Sequence, residues 1–374
     1  MLQYSSKTQE QLDKQIMRIS ERSDILRFLD PVNKFEELTI FLEKGGDYNP
    51  QFIYDESHLP ALDEVMRYID KLKSKVSKLR VKNTLQNMMI QKCEELECKF
   101  KLLQAYHAQD LDLIQQYNEQ LFGPLQHQDI TSWKTKAKRL ESLHQISISS
   151  LIPKHLNLSQ QITKKELLEL IAYHLQQIGA DKYKIQFGKY GTTNMQISIG
   201  PKPVIYINKK DQYALHDVCV SILHELYGHL LRYFNGKKSN IHIMQGGSAY
   251  YLATEEGVAV FSAARLEGLS KTLVKLYDNH QLLVQASEHN RSATSSLLQA
   301  KGSKDLEHIF WSLLRVKRGL KDTSISGKGS VFMKDKVYFD GYIQVINYLY
   351  DGHTRESLTK GRLDIKTLRK KDIS

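Results

Sequence analysis

His224, Glu225 and His229 form an H-E-x-x-x-H pattern near the middle of the chain, a combination of residue types suited to metal chemistry. Imidazole nitrogens are good zinc ligands, and a carboxylate beside the first of them can act as a general base toward water. The spacing is unusual. Side chains four apart on an α-helix are separated by about 40° around its axis, so one ion can meet both. Side chains five apart are separated by about 140° and point away from each other. One extra residue in the turn, a π-bulge, would return both to a common face, and Gly228 lowers the steric cost of one. The pattern therefore predicts a helix that is locally overfull between Glu225 and His229. On spacing alone, two histidines and a glutamate also suit an ordinary core or surface helix.

Two histidines need a third protein ligand and an open coordination position. The stretch Tyr250-Tyr251-Leu252-Ala253-Thr254-Glu255-Glu256-Gly257 offers a carboxylate from a following helix. The same residues also read as a plain helix start, with Thr254 as N-cap and two acids favoured by the helix dipole.

The elements that must hold these groups have their own patterns. Residues 211–236 read as one helix, capped by Asp211 and ended at Asn235-Gly236. Leu215, Val218, Cys219, Ile222 and Leu226 share one face of it, so it has an apolar side to bury. Upstream, 165–179 is helical in pattern, 183–187 alternates like a strand, and 194–199 and 204–207 are two further short strands. Strands followed by the metal helix are the usual beginning of a zincin-type catalytic domain. The 194–199 strand is expected at the sheet edge, where main-chain pairing can hold an extended peptide.

Residues 1–155 are helical in pattern, with Val65, Ile69, Leu72, Val76 and Leu79 recurring at three- and four-residue steps. Gly45-Gly46, Tyr48-Asn49-Pro50 and Gly123-Pro124 interrupt the helices, and a polar segment over 147–161 leads into the next region. After Glu256 the chain is again mostly helical, with turns at Gly268 and Gly302. Gly327-Lys328-Gly329-Ser330 lacks the upstream glycine and the following Ser or Thr of a phosphate-binding loop. The expected fold is α+β and mostly helical: a helical N-terminal region over 1–155, then a zincin-like metallopeptidase domain over 156–374 with a small sheet and the metal-binding helix.

Composition bounds the class. At 374 residues the chain can bury a large core, and 41% hydrophobic with 25% charged residues is ordinary for a soluble globular protein. No apolar run is long enough to span a bilayer, and the opening residues lack a signal peptide's apolar core. Three cysteines do not make a disulfide framework, and Cys93 and Cys98 read as packing thiols, so the expectation is a cytoplasmic protein. The net charge of +11 favours acidic partners. Its lysines and arginines are scattered, among them Lys182, Lys184, Lys209, Lys210, Lys237 and Lys238, with one cluster at Arg369-Lys370-Lys371. No nucleic-acid reader motif accompanies them, so no nucleic acid is expected. Acidic peptide tails suit this charge, as does a merely solvated lysine-rich surface.

HELYGHLLRYFNG followed by YLATEEGVAV resembles the tyrosine carboxypeptidase-like metallopeptidase family, which includes the microtubule-associated tyrosine carboxypeptidases and many bacterial proteins of unknown function. That family pairs an H-E-x-x-x-H helix with a downstream E-E-G or Q-E-G motif. The resemblance implies His224, His229 and Glu256 as ligands of one Zn2+ and Glu225 as general base, with Glu255 at the variable position. Tyr48-Asn49-Pro50-Gln51-Phe52, Leu121-Phe122-Gly123, Arg318-Gly319 and Lys334-Asp335 with Tyr338 and Gly341 are similar to family landmarks in the same order. Leu226-Tyr227-Gly228 departs from the more usual Ile-Gly-Thr, and Val258 stands where Leu is common.

The resemblance implies a carboxypeptidase acting on a peptide or protein C-terminal tail that ends in tyrosine or another aromatic residue. Such a substrate's terminal carboxylate needs a cation, for which Arg318, Lys334 and Arg232 are candidates in that order. Tyr338 is a candidate hydroxyl for stabilising the tetrahedral oxyanion. Two other readings stay open. H-E-L-Y-G-H is similar to the motif of the dipeptidyl-peptidase III family, though this chain is short for it and carries Gly257 in the second motif. A non-catalytic, metal-stabilised binding module is the other, and Glu225 argues against it because a structural zinc needs no base.

Overall fold

A computed structural model describes residues 2–57, 61–80, 82–180, 183–188, 195–199, 203–300, 302 and 305–370. Lys182, Asn194 and Lys371 lie outside the described residues. The fold is α+β and mostly helical, with one three-stranded sheet and one two-stranded ladder among the described residues. The chain divides into two compact units, each built from separated segments: Met1–Tyr4, Asp129–Leu276 and Val337–Ser374 in the first, Ser5–Gln128 and Tyr277–Lys336 in the second. Residue 155, where the pattern turns from helical to mixed, lies inside the first unit. No helix among the described residues is long and apolar enough to cross a membrane.

The first unit contains the strands β1 (Gln161–Ile162), β2 (Lys184–Gly188), β3 (Met195–Ser198), β4 (Val204–Asn208) and β5 (Tyr213–Ala214). Strand β4 is central, parallel to β2 and antiparallel to β3, which leaves β2 and, as expected, β3 at the edges. Alternation decides the faces: Ile205 and Ile207 turn into the core with Met195 opposite, while Val204 and Tyr206 are half-buried. The helix Lys164–Gln177 starts with a capping box between Thr163 and Glu166 and adds Leu167, Leu170, Ile171 and Leu175 to the same core.

Against that core lies the long helix that carries the histidines. It is α over Leu215–Ile222, π over Leu223–Leu230 and α again over Leu231–Lys238. Its expected apolar face, Leu215, Val218, Cys219, Ile222 and Leu226, is buried. Its ends differ from expectation. The β1–β5 ladder runs to Ala214, so the helix starts four residues after Asp211, which therefore caps nothing. Asn235 and Gly236 are not an exit either, because the helix continues to Lys238. Gly236 is needed for packing: a Cβ there would sit 2.1 Å from the Met244 carbonyl oxygen.

The second unit is helical, with Lys7–Ser20, Lys34–Glu43, Leu62–Ser77, Thr84–Ala108, Leu111–Phe122 and Leu306–Val316 as its longer contiguous helices. Ile69, Leu72 and Val76 are buried as their spacing predicts, and Cys93 and Cys98 are buried free thiols. One core gathers Phe41, Phe52, Leu283, Phe310, Leu313 and Met333. The Arg291 guanidinium lies inside it, 4.5 Å from the Phe310 ring centroid and 5.2 Å from that of Phe52. Several landmark residues act here as braces. The Tyr48 hydroxyl and the Gln51 amide both donate to the Glu37 carboxylate at 3.0 Å. Gly319, at φ +89°, leaves no room for a Cβ beside the Tyr106 ring.

Candidate metal centre

The π-helical turn does what the H-E-x-x-x-H spacing requires. The widened turn returns His224 and His229 to one side, with ring centroids 5.0 Å apart and planes at 76°. The third group comes from the helix Tyr251–Glu267, which packs on this turn. One ligand atom from each of His224, His229 and Glu256 lies within 4.8 Å of the others. Glu256 Oε2 is 3.7 Å from His229 Nε2.

Close packing of the two helices brings these atoms together, and two motif glycines permit it. A Cβ on Gly228 would lie 2.4 Å from the Ala259 Cα. A Cβ on Gly257 would lie 2.2 Å from the Gly341 carbonyl carbon, and one on Gly341 would lie 1.8 Å from the Ala253 oxygen. Gly341 belongs to the helix Lys336–Tyr350, so a glycine–glycine crossing holds that helix against the Glu256 helix.

Thr254 is not the N-cap its position suggests. The helix begins one turn earlier, after Tyr250 in a left-handed conformation at φ 55°, and the buried Thr254 hydroxyl accepts the Ile365 amide at 2.8 Å. A short C-terminal segment thus ties down the start of this helix, and Arg362 and Asp364 reinforce the tie through Met244 and Ser248.

Charge is concentrated at the centre. Burial holds the His224 imidazole down at about 3, with repulsion from His229 adding to the effect, so it is a neutral donor. Burial pushes the Glu225 carboxyl up to about 7, against the opposing influence of His229 and of a hydrogen bond from the Ile197 backbone. Burial would also lower His229, but the carboxylates of Glu256, Glu255 and Glu225 outweigh it and bring the imidazole to about 9. The cluster is therefore one in which positive charge between the carboxylates is favoured.

The remaining expected residues are placed differently. Arg232 is fully buried, donating Nε to Leu358 O at 3.0 Å, Nη2 to Leu363 O at 2.7 Å, and Nη1 to Glu255. With its nitrogens so engaged it has no free face for a substrate carboxylate. Tyr338 is half-buried, one turn ahead of Gly341 on its helix. Arg318 and Lys334 belong to the second unit, where Arg318 lies 3.9 Å from Asp30 and Lys334 sits in the 3-10 turn Met333–Asp335.

Sequence reasoning missed Arg362, which donates Nε to Glu255 Oε1 at 3.1 Å and Nη2 to the Tyr251 hydroxyl at 3.1 Å. No motif marks it, since it is over a hundred positions from its partner.

Residues 39–370 match the family model described as microtubule-associated tyrosine carboxypeptidase. The chain belongs to this family. The match spans nearly the whole chain, so it takes in both the H-E-x-x-x-H helix and the braces of the second unit. A comparison with curated proteins gives no match. For a microtubule-associated tyrosine carboxypeptidase family member, carboxypeptidase-type activity on a protein or peptide is the family-level expectation.

Proposed function

We propose that this chain is a zinc-dependent carboxypeptidase that removes a C-terminal tyrosine or other aromatic residue from a peptide or protein tail. The observation that carries the proposal is the convergence of His224, His229 and Glu256 on a π-helical turn with Glu225 beside them. Two imidazoles and one carboxylate are the donor set of an open, catalytic zinc site rather than a closed structural one. His224, His229 and Glu256 would hold the ion. When bound, Zn2+ supplies Lewis acidity that activates water and polarises the scissile carbonyl.

Glu225 takes the proton of the attacking water and delivers it to the leaving amine. Its carboxyl is raised by burial, which favours proton uptake. The neighbouring edge strand β3 suits a zincin-like arrangement: one side pairs with β4, and the Ile197 amide on the other side reaches Glu225. An extended substrate pairing with that edge would lie beside the general base. Tyr338, on the helix that crosses the Glu256 helix, remains the candidate oxyanion donor. The family description points to a tail presented by a microtubule as the first substrate to test.

Metal content tests this reading first. Protein purified without added metal or chelator should carry about one zinc per chain, and Glu256→Ala should lose it. The zinc-loaded wild type should release free tyrosine from peptides ending in Tyr. Absence of zinc from the wild type, with none taken up on addition, would overturn the proposal. Release of dipeptides from free N-termini would instead favour a dipeptidyl-peptidase III-like activity.

A further inference from the structure

Two adjacent glutamates, Glu255 and Glu256, stand on one helix beside His229, yet only Glu256 joins the convergent donor set. His229 faces each of them with a different nitrogen. Its Nδ1 is 3.2 Å from Glu255 Oε1, and its Nε2 is 3.7 Å from Glu256 Oε2. Glu255 is buried, and both of its oxygens already accept charged donors: Oε2 from Arg232 and Oε1 from Arg362. Arg232 is itself anchored by the carbonyls of Leu358 and Leu363. Arg362 is anchored by the Tyr251 hydroxyl and lies over that ring, 4.8 Å from its centroid.

We infer that Glu255 is a positioning residue. It fixes His229 as the Nδ1–H tautomer, so that Nε2 faces the ion, while Arg232 and Arg362 keep Glu255 itself out of the ligand set. The inference rests on the zinc reading above. A carboxylate that accepts the second N–H of a metal-ligating histidine fixes the ring and raises its donor strength. The arginine pair explains why the neighbouring carboxylate does not compete. Coordination by Glu255 would mean surrendering charge-assisted hydrogen bonds in a buried setting and leaving two guanidinium groups short of a counter-charge. Both arginines are held by residues of 358–363 or belong to them, so this late segment is part of the site's support.

Zinc affinity, measured by competition with a chromophoric chelator, tests the inference without any assay of catalysis. Glu255→Gln should weaken zinc binding about 10- to 100-fold, and Arg362→Met should weaken it by less, under about 10-fold. A Glu255 with only a structural role would lower the melting temperature of the metal-free variant and leave the zinc affinity of folded protein unchanged. Affinity of folded Glu255→Gln within about threefold of wild type, well short of the loss expected for an outer-shell carboxylate, would overturn the inference. Proton–nitrogen spectra of the imidazoles in zinc-loaded wild type give an independent readout. They should show His229 protonated at Nδ1 and coordinated through Nε2, and coordination through Nδ1 would refute the role. Should Glu255→Gln fail to fold, Arg362→Met and these spectra decide. A wild type that takes up no zinc overturns the functional reading, and the inference falls with it, whereas a zinc-binding wild type with an indifferent Glu255 overturns the inference alone.

Discussion

Burial lifts the Glu225 carboxyl to about 7, and the Ile197 amide gives it a fixed partner on strand β3. A group so placed should transfer protons and need not hold the ion. Glu225→Gln should therefore keep its zinc while its release of C-terminal tyrosine falls roughly 100- to 10,000-fold. A variant that loses metal along with activity would show that Glu225 helps hold the ion. A second residue shows how burial acts on a cation far along the chain from the motifs. Lys317 is fully buried, and its Nζ donates to the carbonyls of His289 and Ile325 at 3.0 Å. Burial, with Arg291 adding repulsion, lowers its amine from 10.5 to about 7. Two carbonyl acceptors match the two N–H groups of a neutral amine. Below about pH 7 the amine is charged in both folded and unfolded protein, and the burial penalty is present in full. Above that, the folded protein holds the neutral amine while the unfolded chain still binds a proton, so stability rises as pH approaches 10.5. Urea unfolding of wild type and Lys317→Met at pH 7 and pH 9.5 checks the sign: the wild type should gain more stability over this interval than the variant.

At the level of elements, the glycines of the metal motifs are packing residues. The Glu256 helix approaches its neighbours at Gly228–Ala259 and Gly257–Gly341, both too close for an added Cβ. Gly257→Ala should destabilise the fold by roughly 1–3 kcal/mol or more, as overpacking does, and should displace Glu256 next to it. Denaturant midpoints and zinc content should fall together. A Gly257→Ala protein with both unchanged would show that the crossing is not tight. The same crossing explains what could be read in advance. The π-helical turn was legible because the five-residue spacing of two ligands is a geometric constraint internal to one element. Strand β2 was legible from alternation, β4 from its β-branched residues, and the buried face of the histidine helix from its apolar spacing. Helix ends were not. Asp211, Thr254 and Asn235-Gly236 carry local capping chemistry, but a strand ladder before the helix, the Ile365 amide and the Met244 carbonyl decide what each does. Those partners come from elsewhere in the chain, as do the contacts that take Arg232 away from any substrate and bring Arg362 to Glu255.

Across the whole molecule, the division of labour follows the two units. The convergent donors, Glu225 and edge strand β3 all lie in the first, within its segment Asp129–Leu276, which falls between the two segments of the second in sequence. The landmarks Tyr48-Asn49-Pro50-Gln51-Phe52 and Arg318-Gly319 lie in the second, where Tyr48, Gln51 and Gly319 brace helices. A family match over 39–370 therefore covers a shared scaffold as well as shared chemistry. The molecule also carries a formal charge of +11, a property no single element shows. A surface of that sign attracts acidic chains over distances on the order of the Debye length, about 10 Å at 0.1 M salt. If the substrate is an acidic tail, attraction should raise its encounter rate and salt should reduce it. The value of kcat/KM for an acidic peptide ending in Tyr should fall several-fold between about 0.02 and 0.3 M salt, through KM more than kcat. A neutral peptide with the same terminal residue should change little over that range, because its recognition would depend on the site alone. Equal salt sensitivity of the two peptides would place the effect in the site's own ionic contacts. Insensitivity of both would reduce the charge to a solvated surface.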